Sequence, residues 1–112
     1  MDLIAPESYL LASPAERAAV VNGCGPAGWR FDLVPDSLAG LDVSEACKIH
    51  DWMYRLGGDE AARKEADVIL YLNLARLVLM AGGSLTGIRM AGAAAFYLAV
   101  RKGGAAYFAL KD

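Results

Sequence analysis

Three glycine pairs, Gly57-Gly58, Gly82-Gly83 and Gly103-Gly104, cut the C-terminal half of the chain at intervals of 25 and 21 residues. Apolar residues precede each pair, and between the first two they recur every three or four positions: Ala66, Ile69, Leu70, Leu74, Leu77 and Val78. Glycine weakens a helix interior and closes a helix end without steric cost, so a pair after such a stretch reads as a stop. The spacing predicts helices from Ser44 to about Leu56, from Glu60 to about Ala81, and from Thr86 to about Lys102, with a further turn in the tail after Ala105. Ser44 and Asp59 stand where the first two would be capped. The fold class that follows is all-α, with two antiparallel helices and a third packed against them.

The N-terminal part is organised differently. Ser13-Pro14-Ala15-Glu16 has the spacing of a capping box with proline at the first helical position, which predicts a short helix from Pro14 to Val21. Asn22-Gly23-Cys24-Gly25-Pro26-Ala27-Gly28 ends it. Three glycines in six residues can turn carbonyls or amides toward one point, as a cation or oxyanion site needs; the alternative is a plain turn. From Trp29 to Asp42 no period is sustained and a loop is expected. No strand pair, internal repeat or linker stands out, so residues 1–112 read as one domain.

Composition narrows the function classes. The chain has 112 residues, 56% of them hydrophobic, enough for a real core and too apolar for disorder. Its net charge is -2, with no Lys/Arg cluster longer than two, so nucleic acid is not an expected partner. The charge is uneven: residues 1–60 hold ten acids against four bases, and residues 61–112 hold three acids against seven. The acidic half is either a solvated surface or a cation site. Uncharged runs at 77–88 and 90–100 fall short of the ~18 residues a membrane span needs, so they are expected as buried helices. Met1-Asp2-Leu3-Ile4, with Pro6 and Glu7 close behind, lacks the basic start of a secretory signal. Without such a signal the chain is expected to stay in the cytoplasm, leave by lysis or travel in a particle. Two cysteines and one histidine exclude a disulfide-dense scaffold and a four-cysteine zinc site. Oxygen-rich or mixed metal ligation remains, and proton transfer near neutral pH would fall to His50.

Around that histidine the residues form a pattern. Cys47, His50, Asp51 and Tyr54 stand at i, i+3, i+4 and i+7, so one helical face presents a thiol, an imidazole, a carboxylate and a phenol. On the next helix Asp67 stands among Ala66, Val68, Ile69 and Leu70. A carboxylate so placed is expected to face the partner helix and to need hydrogen bonds there, with His50 and Tyr54 the natural donors. The alternative puts it at the helix edge, solvated beside Lys64.

Cys47-Lys48-Ile49-His50-Asp51-Trp52-Met53-Tyr54 resembles the C-x-x-H-D-x-x-Y signature of the phospholipase A2 superfamily, and Gly23-Cys24-Gly25-Pro26-Ala27-Gly28 resembles its glycine-rich calcium loop. The likeness spans about residues 22–73 and is greater to the compact, cysteine-poor bacterial and phage proteins than to the secreted toxins. It implies calcium-dependent hydrolysis of a phospholipid acyl ester, of sn-2 type, at a peripheral membrane surface. His50 would be the general base that activates water, Asp67 the aspartate that orients it, and Tyr54 the hydrogen-bond partner of that aspartate. Asp51 and the carbonyls of Gly23, Gly25 and Ala27 would hold Ca2+, with the Gly25 amide helping to hold the oxyanion. Cys24 and Cys47 fall where the family's loop-to-helix disulfide lies; such a bridge closes a loop of about 23 residues and restrains the unfolded chain by roughly 3 kcal/mol.

Elementary chemistry agrees with these roles. Calcium takes six to eight oxygens, which one carboxylate, a fan of carbonyls and waters can supply. A histidine oriented by a carboxylate suits water activation, and the carboxylate stabilises the imidazolium that forms. The chain also departs from the family. Ala27 stands at a glycine position after Pro26, the stretch between Cys24 and Cys47 is longer, and Met53 replaces a cysteine. The longer stretch holds Trp29, Phe31, Leu33 and Val34, which would either rim the site as a lipid-facing surface or pack onto the core. A second reading keeps the fold without turnover, as a catalytically inactive prophage or virion module for interaction or membrane binding.

Overall fold

The computed structural model describes residues 3–21, 37–106 and 108. In chain order the elements are α1 (Glu7–Leu11), α2 (Pro14–Val21), β1 (Ser37–Leu38), β2 (Leu41–Asp42), α3 (Ser44–Leu56), α4 (Glu60–Ala81) and α5 (Thr86–Gly103), with a 3-10 turn over Gly104–Ala106. The described residues are mostly helical, and the one sheet among them is a two-stranded pair.

Local signals account for most helix ends. The Ser13 amide donates to Glu16 Oε1 at 2.7 Å and the Glu16 amide to Ser13 Oγ at 3.1 Å, closing the reciprocal box that starts α2. Asp59 Oδ1 accepts the Ala62 amide at 2.9 Å at the start of α4. Helices α3 and α4 end where Gly57 and Gly82 adopt φ of 72° and 62°, angles that a β-carbon resists. The third glycine pair behaves differently. Gly104 is right-handed at φ -73°, and the chain tightens into the 3-10 turn rather than stopping. Its lack of a side chain serves a close approach instead, since a β-carbon there would sit 3.1 Å from two ring carbons of Tyr54 and closer still to its hydroxyl.

Three features differ from the sequence reading. Five residues ahead of the capping box form α1, held by Tyr9, which is buried, donates to Glu45 Oε2 at 2.5 Å and packs edge-on against Trp52. That helix depends on tertiary contacts, too short to persist on propensity alone. Ser44 does not cap α3. Val43 holds the cap position, and the Ser44 amide donates to Asp42 Oδ1 at 2.8 Å, because an aspartate two residues upstream reaches it first. The end of the expected loop is a hairpin: β1 and β2 pair antiparallel across Ala39 and Gly40, both at positive φ. Arg89 of α5 donates to the Leu38 and Ala39 carbonyls at 3.3 and 2.9 Å, and Leu38 is buried in the core.

The main core joins Val43 and Ala46 of the α3 end to Leu70, Leu74 and Val78 of α4 and to Ala93, Phe96 and Val100 of α5. At the other end of α3, Tyr54 packs with Ala62 and Ala66 of the first turns of α4 and with Phe108. The start of α3 thus lies along the far part of α4 and its end beside the beginning of α4, so the two run antiparallel. Small residues at 91–95 bring α5 close, with Ala93 buried. Among the described residues no helix is long and apolar enough to cross a membrane.

Candidate functional site

Helical periodicity places His50 and Tyr54 one turn apart on the face of α3 that meets α4. Both are buried, and so is Asp67, at 0% exposure. His50 Nε2 lies 2.8 Å from Asp67 Oδ1, and the Tyr54 hydroxyl donates to the same oxygen at 2.7 Å. The His50 and Tyr54 rings are 4.3 Å apart between centroids. Asp67 faces the partner helix and is not the solvated neighbour of Lys64.

The sequence reading did not find the partners of the other carboxylate oxygen. Arg101, near the end of α5, donates through Nη1 to Asp67 Oδ2 at 2.6 Å, and Arg63 Nη1 lies 3.5 Å from that oxygen. Arg63 is itself committed elsewhere: Nε donates to Glu60 Oε1 and Oε2 at 3.0 and 2.9 Å, and Nη1 donates to the Val100 carbonyl at 3.3 Å. Arg101 Nη2 also reaches Glu60, at 3.6 Å. Two arginines and two carboxylates therefore balance in charge around the histidine. A weak signal was available: Arg63 stands one turn before Asp67, and Arg101 ends the uncharged run of residues 90–100.

This setting decides the protonation of Asp67. Burial pushes its carboxyl up, but hydrogen bonds from His50, Tyr54 and Arg101 outweigh burial and hold it below the ordinary value. An ionised carboxylate can only accept, which favours hydrogen on Nε2 of the ring. Burial, with the hydrogen bond to Asp67, pushes the Tyr54 phenol well up, so it stays a neutral donor.

Asp51 projects elsewhere on α3. It is half-buried, and its closest cation among the described contacts is Arg55 Nε at 3.6 Å, an ion pair too long to be a hydrogen bond. Burial raises its carboxyl above the ordinary value, with Arg55 and His50 partly offsetting. One Arg55 nitrogen, Nη2, is buried without a hydrogen-bond partner. A carboxylate in that state has lone pairs to offer a hard cation. Among the described residues no three His, Cys, Asp or Glu side chains gather as a metal cluster. The expected calcium ligands Gly23, Gly25 and Ala27, and the Gly25 amide, lie outside the described residues, as do Cys24 and the apolar stretch from Trp29 to Val34. Cys47 is half-buried against the main core.

Compared with models of known families, with curated proteins and with solved structures, the chain finds no match in any of the three.

Proposed function

We propose that the protein hydrolyses a phospholipid acyl ester, of sn-2 type, by water that His50 activates, with Ca2+ held at Asp51. The observation that supports this reading most is the buried bond between His50 Nε2 and Asp67 Oδ1, shared with Tyr54. With Nε2 engaged, Nδ1 is the nitrogen that takes a proton from the attacking water. The water oxygen bonds to the ester carbonyl carbon, the proton passes from Nδ1 to the leaving alcohol oxygen, and the acyl C–O bond breaks to give a fatty acid and a lysophospholipid. Asp67 holds the ring in place and stabilises the imidazolium that forms in between. Tyr54 restrains Asp67. Asp51 and the carbonyls of Gly23, Gly25 and Ala27 would hold the ion, and the Gly25 amide would add a donor for the oxyanion. When bound, calcium supplies polarisation of the ester carbonyl and neutralises the developing negative charge.

A second reading, a phospholipase A2-like module for interaction or membrane binding without turnover, is favoured by one observation: the protein's own Arg55 stands against Asp51. Fatty-acid release from phospholipid vesicles separates the two. The hydrolase reading expects release with calcium, loss on chelation and loss in His50→Gln. Release indifferent to both chelation and substitution would refute the mechanism, and none on zwitterionic or anionic vesicles would leave the non-catalytic module.

A further inference from the structure

Asp67 meets His50 through one oxygen and α5 through the other. Oδ1 accepts from α3, and Oδ2 accepts from Arg101, which lies outside the stretch of residues 22–73 that the family resemblance covers. An aspartate side chain rotates easily about its last bond, where the torsional preference is broad and two-fold. Donors from two helices, one set on each oxygen, close that rotation. Of the two guanidiniums beside Oδ2, that of Arg101 is the closer, at 2.6 Å. Arg63 Nη1 is 3.5 Å away, and its guanidinium is spent on Glu60 and the Val100 carbonyl. The stitch runs both ways, since Arg63 of α4 bonds a carbonyl of α5 while Arg101 of α5 bonds a carboxylate of α4. Asp67 itself is fully buried.

We propose that Arg101 is the positioning residue of the site: by engaging Asp67 Oδ2 it fixes the carboxylate so that Oδ1 receives Nε2–H, and it thereby holds His50 in the tautomer whose Nδ1 is unprotonated. Without Arg101 the buried Asp67 loses its closest cation and keeps only Arg63, 3.5 Å away and shared with Glu60, a condition that carboxylates relieve by taking up a proton. A protonated Asp67 donates toward Nε2, and the ring hydrogen moves to Nδ1, the nitrogen that must be vacant to act as base. The kinetic consequence rests on the proposed hydrolysis; the tautomer does not.

His50 is the only histidine, so the ring nitrogen signals of 15N-labelled protein report on it alone. The wild type is expected to show the Nε2–H tautomer, and a predominance of Nδ1–H there overturns the proposal outright. In Arg101→Gln the Nδ1–H form is expected to rise to about half or more. Arg101→Lys, which keeps the charge but not the planar fork, should restore the Nε2–H form. On phospholipid vesicles kcat is expected to fall about 10- to 100-fold in Arg101→Gln, the scale seen for partners that orient a functional histidine, with KM unchanged. An Arg101→Gln protein that is folded and retains the wild-type tautomer refutes the assignment and leaves Arg101 a purely structural role. Should Arg101→Gln fail to fold, Arg101→Met takes its place with the same two outcomes, and a wild type with Nδ1–H predominant still overturns the proposal. A wild type without hydrolysis refutes the hydrolase reading alone, because the tautomer is read independently of turnover.

Discussion

Asp67 carries opposing demands: it is fully buried, yet it is held ionised by His50, Tyr54 and Arg101. Burial alone would raise its carboxyl, but the three donors bring it below its unfolded value, so folding favours the ionised form. The stability this contributes is fully present above the unfolded carboxylate range, near pH ~4, and is lost as pH falls through the lower folded value. Urea midpoints measured from pH ~6 down to ~2 should therefore decline more steeply in wild type than in Asp67→Asn, which is also expected to lose about 3 kcal/mol at neutral pH because Arg101 and His50 lose their anion. Equal acid slopes in the two proteins would contradict this assignment. Asp51 has the opposite sign, since its raised carboxyl makes the charged form unfavourable in the folded protein until a cation arrives. Saturating calcium is accordingly expected to raise the melting temperature, by about 2–3 kcal/mol of stabilisation at a hundred times Kd, and the rise should vanish in Asp51→Asn.

Elements set these residues at their distances. The 3-10 turn passes the Tyr54 ring at Gly104, where a β-carbon would collide with the hydroxyl that bonds Asp67. Gly104→Ala is expected to push the ring aside and cost about 1–3 kcal/mol, the usual scale of overpacking. In a thermodynamic cycle with Tyr54→Phe the two losses should be less than additive, since each removes the same hydroxyl contact. Full additivity would mean that the glycine matters for some other reason. At this scale the sequence was legible wherever the determinant is local. The Ser13–Glu16 box, the Asp59 cap and the Gly57 and Gly82 ends all depend on residues within a turn of one another. The β1–β2 hairpin and α1 escaped because their anchors, Arg89 and Glu45, come from 50 and 36 residues away. The Ser44 cap failed by one position: Val43 holds the cap, and Asp42 Oδ1 accepts the Ser44 amide.

For the whole molecule, the polar contacts that cross the core decide how its parts stay together. Asn73 is buried in α4 and binds the N-terminal segment twice, accepting from the Ile4 amide at 2.7 Å and donating to its carbonyl at 2.8 Å. Asn73→Ala removes both bonds and is expected to cost about 2–3 kcal/mol, with faster hydrogen exchange at the Ile4 amide; unchanged protection there would show that the segment is held by packing alone. Taken by itself, the sequence determined helices α2 to α5, most of their ends, and the placing of His50 and Tyr54 one turn apart on a shared face, because a 3.6-residue period and its caps are short-range properties. It also marked Asp67 as a carboxylate in need of partners. Only the tertiary structure decided that Asp67 is shared between two helices, with Arg101 on its second oxygen, 34 residues away. That pairing depends on the register of α5 against α4, which core packing fixes and no local pattern encodes, and burial then makes it obligatory, since a charge removed from water must find its partner within the fold.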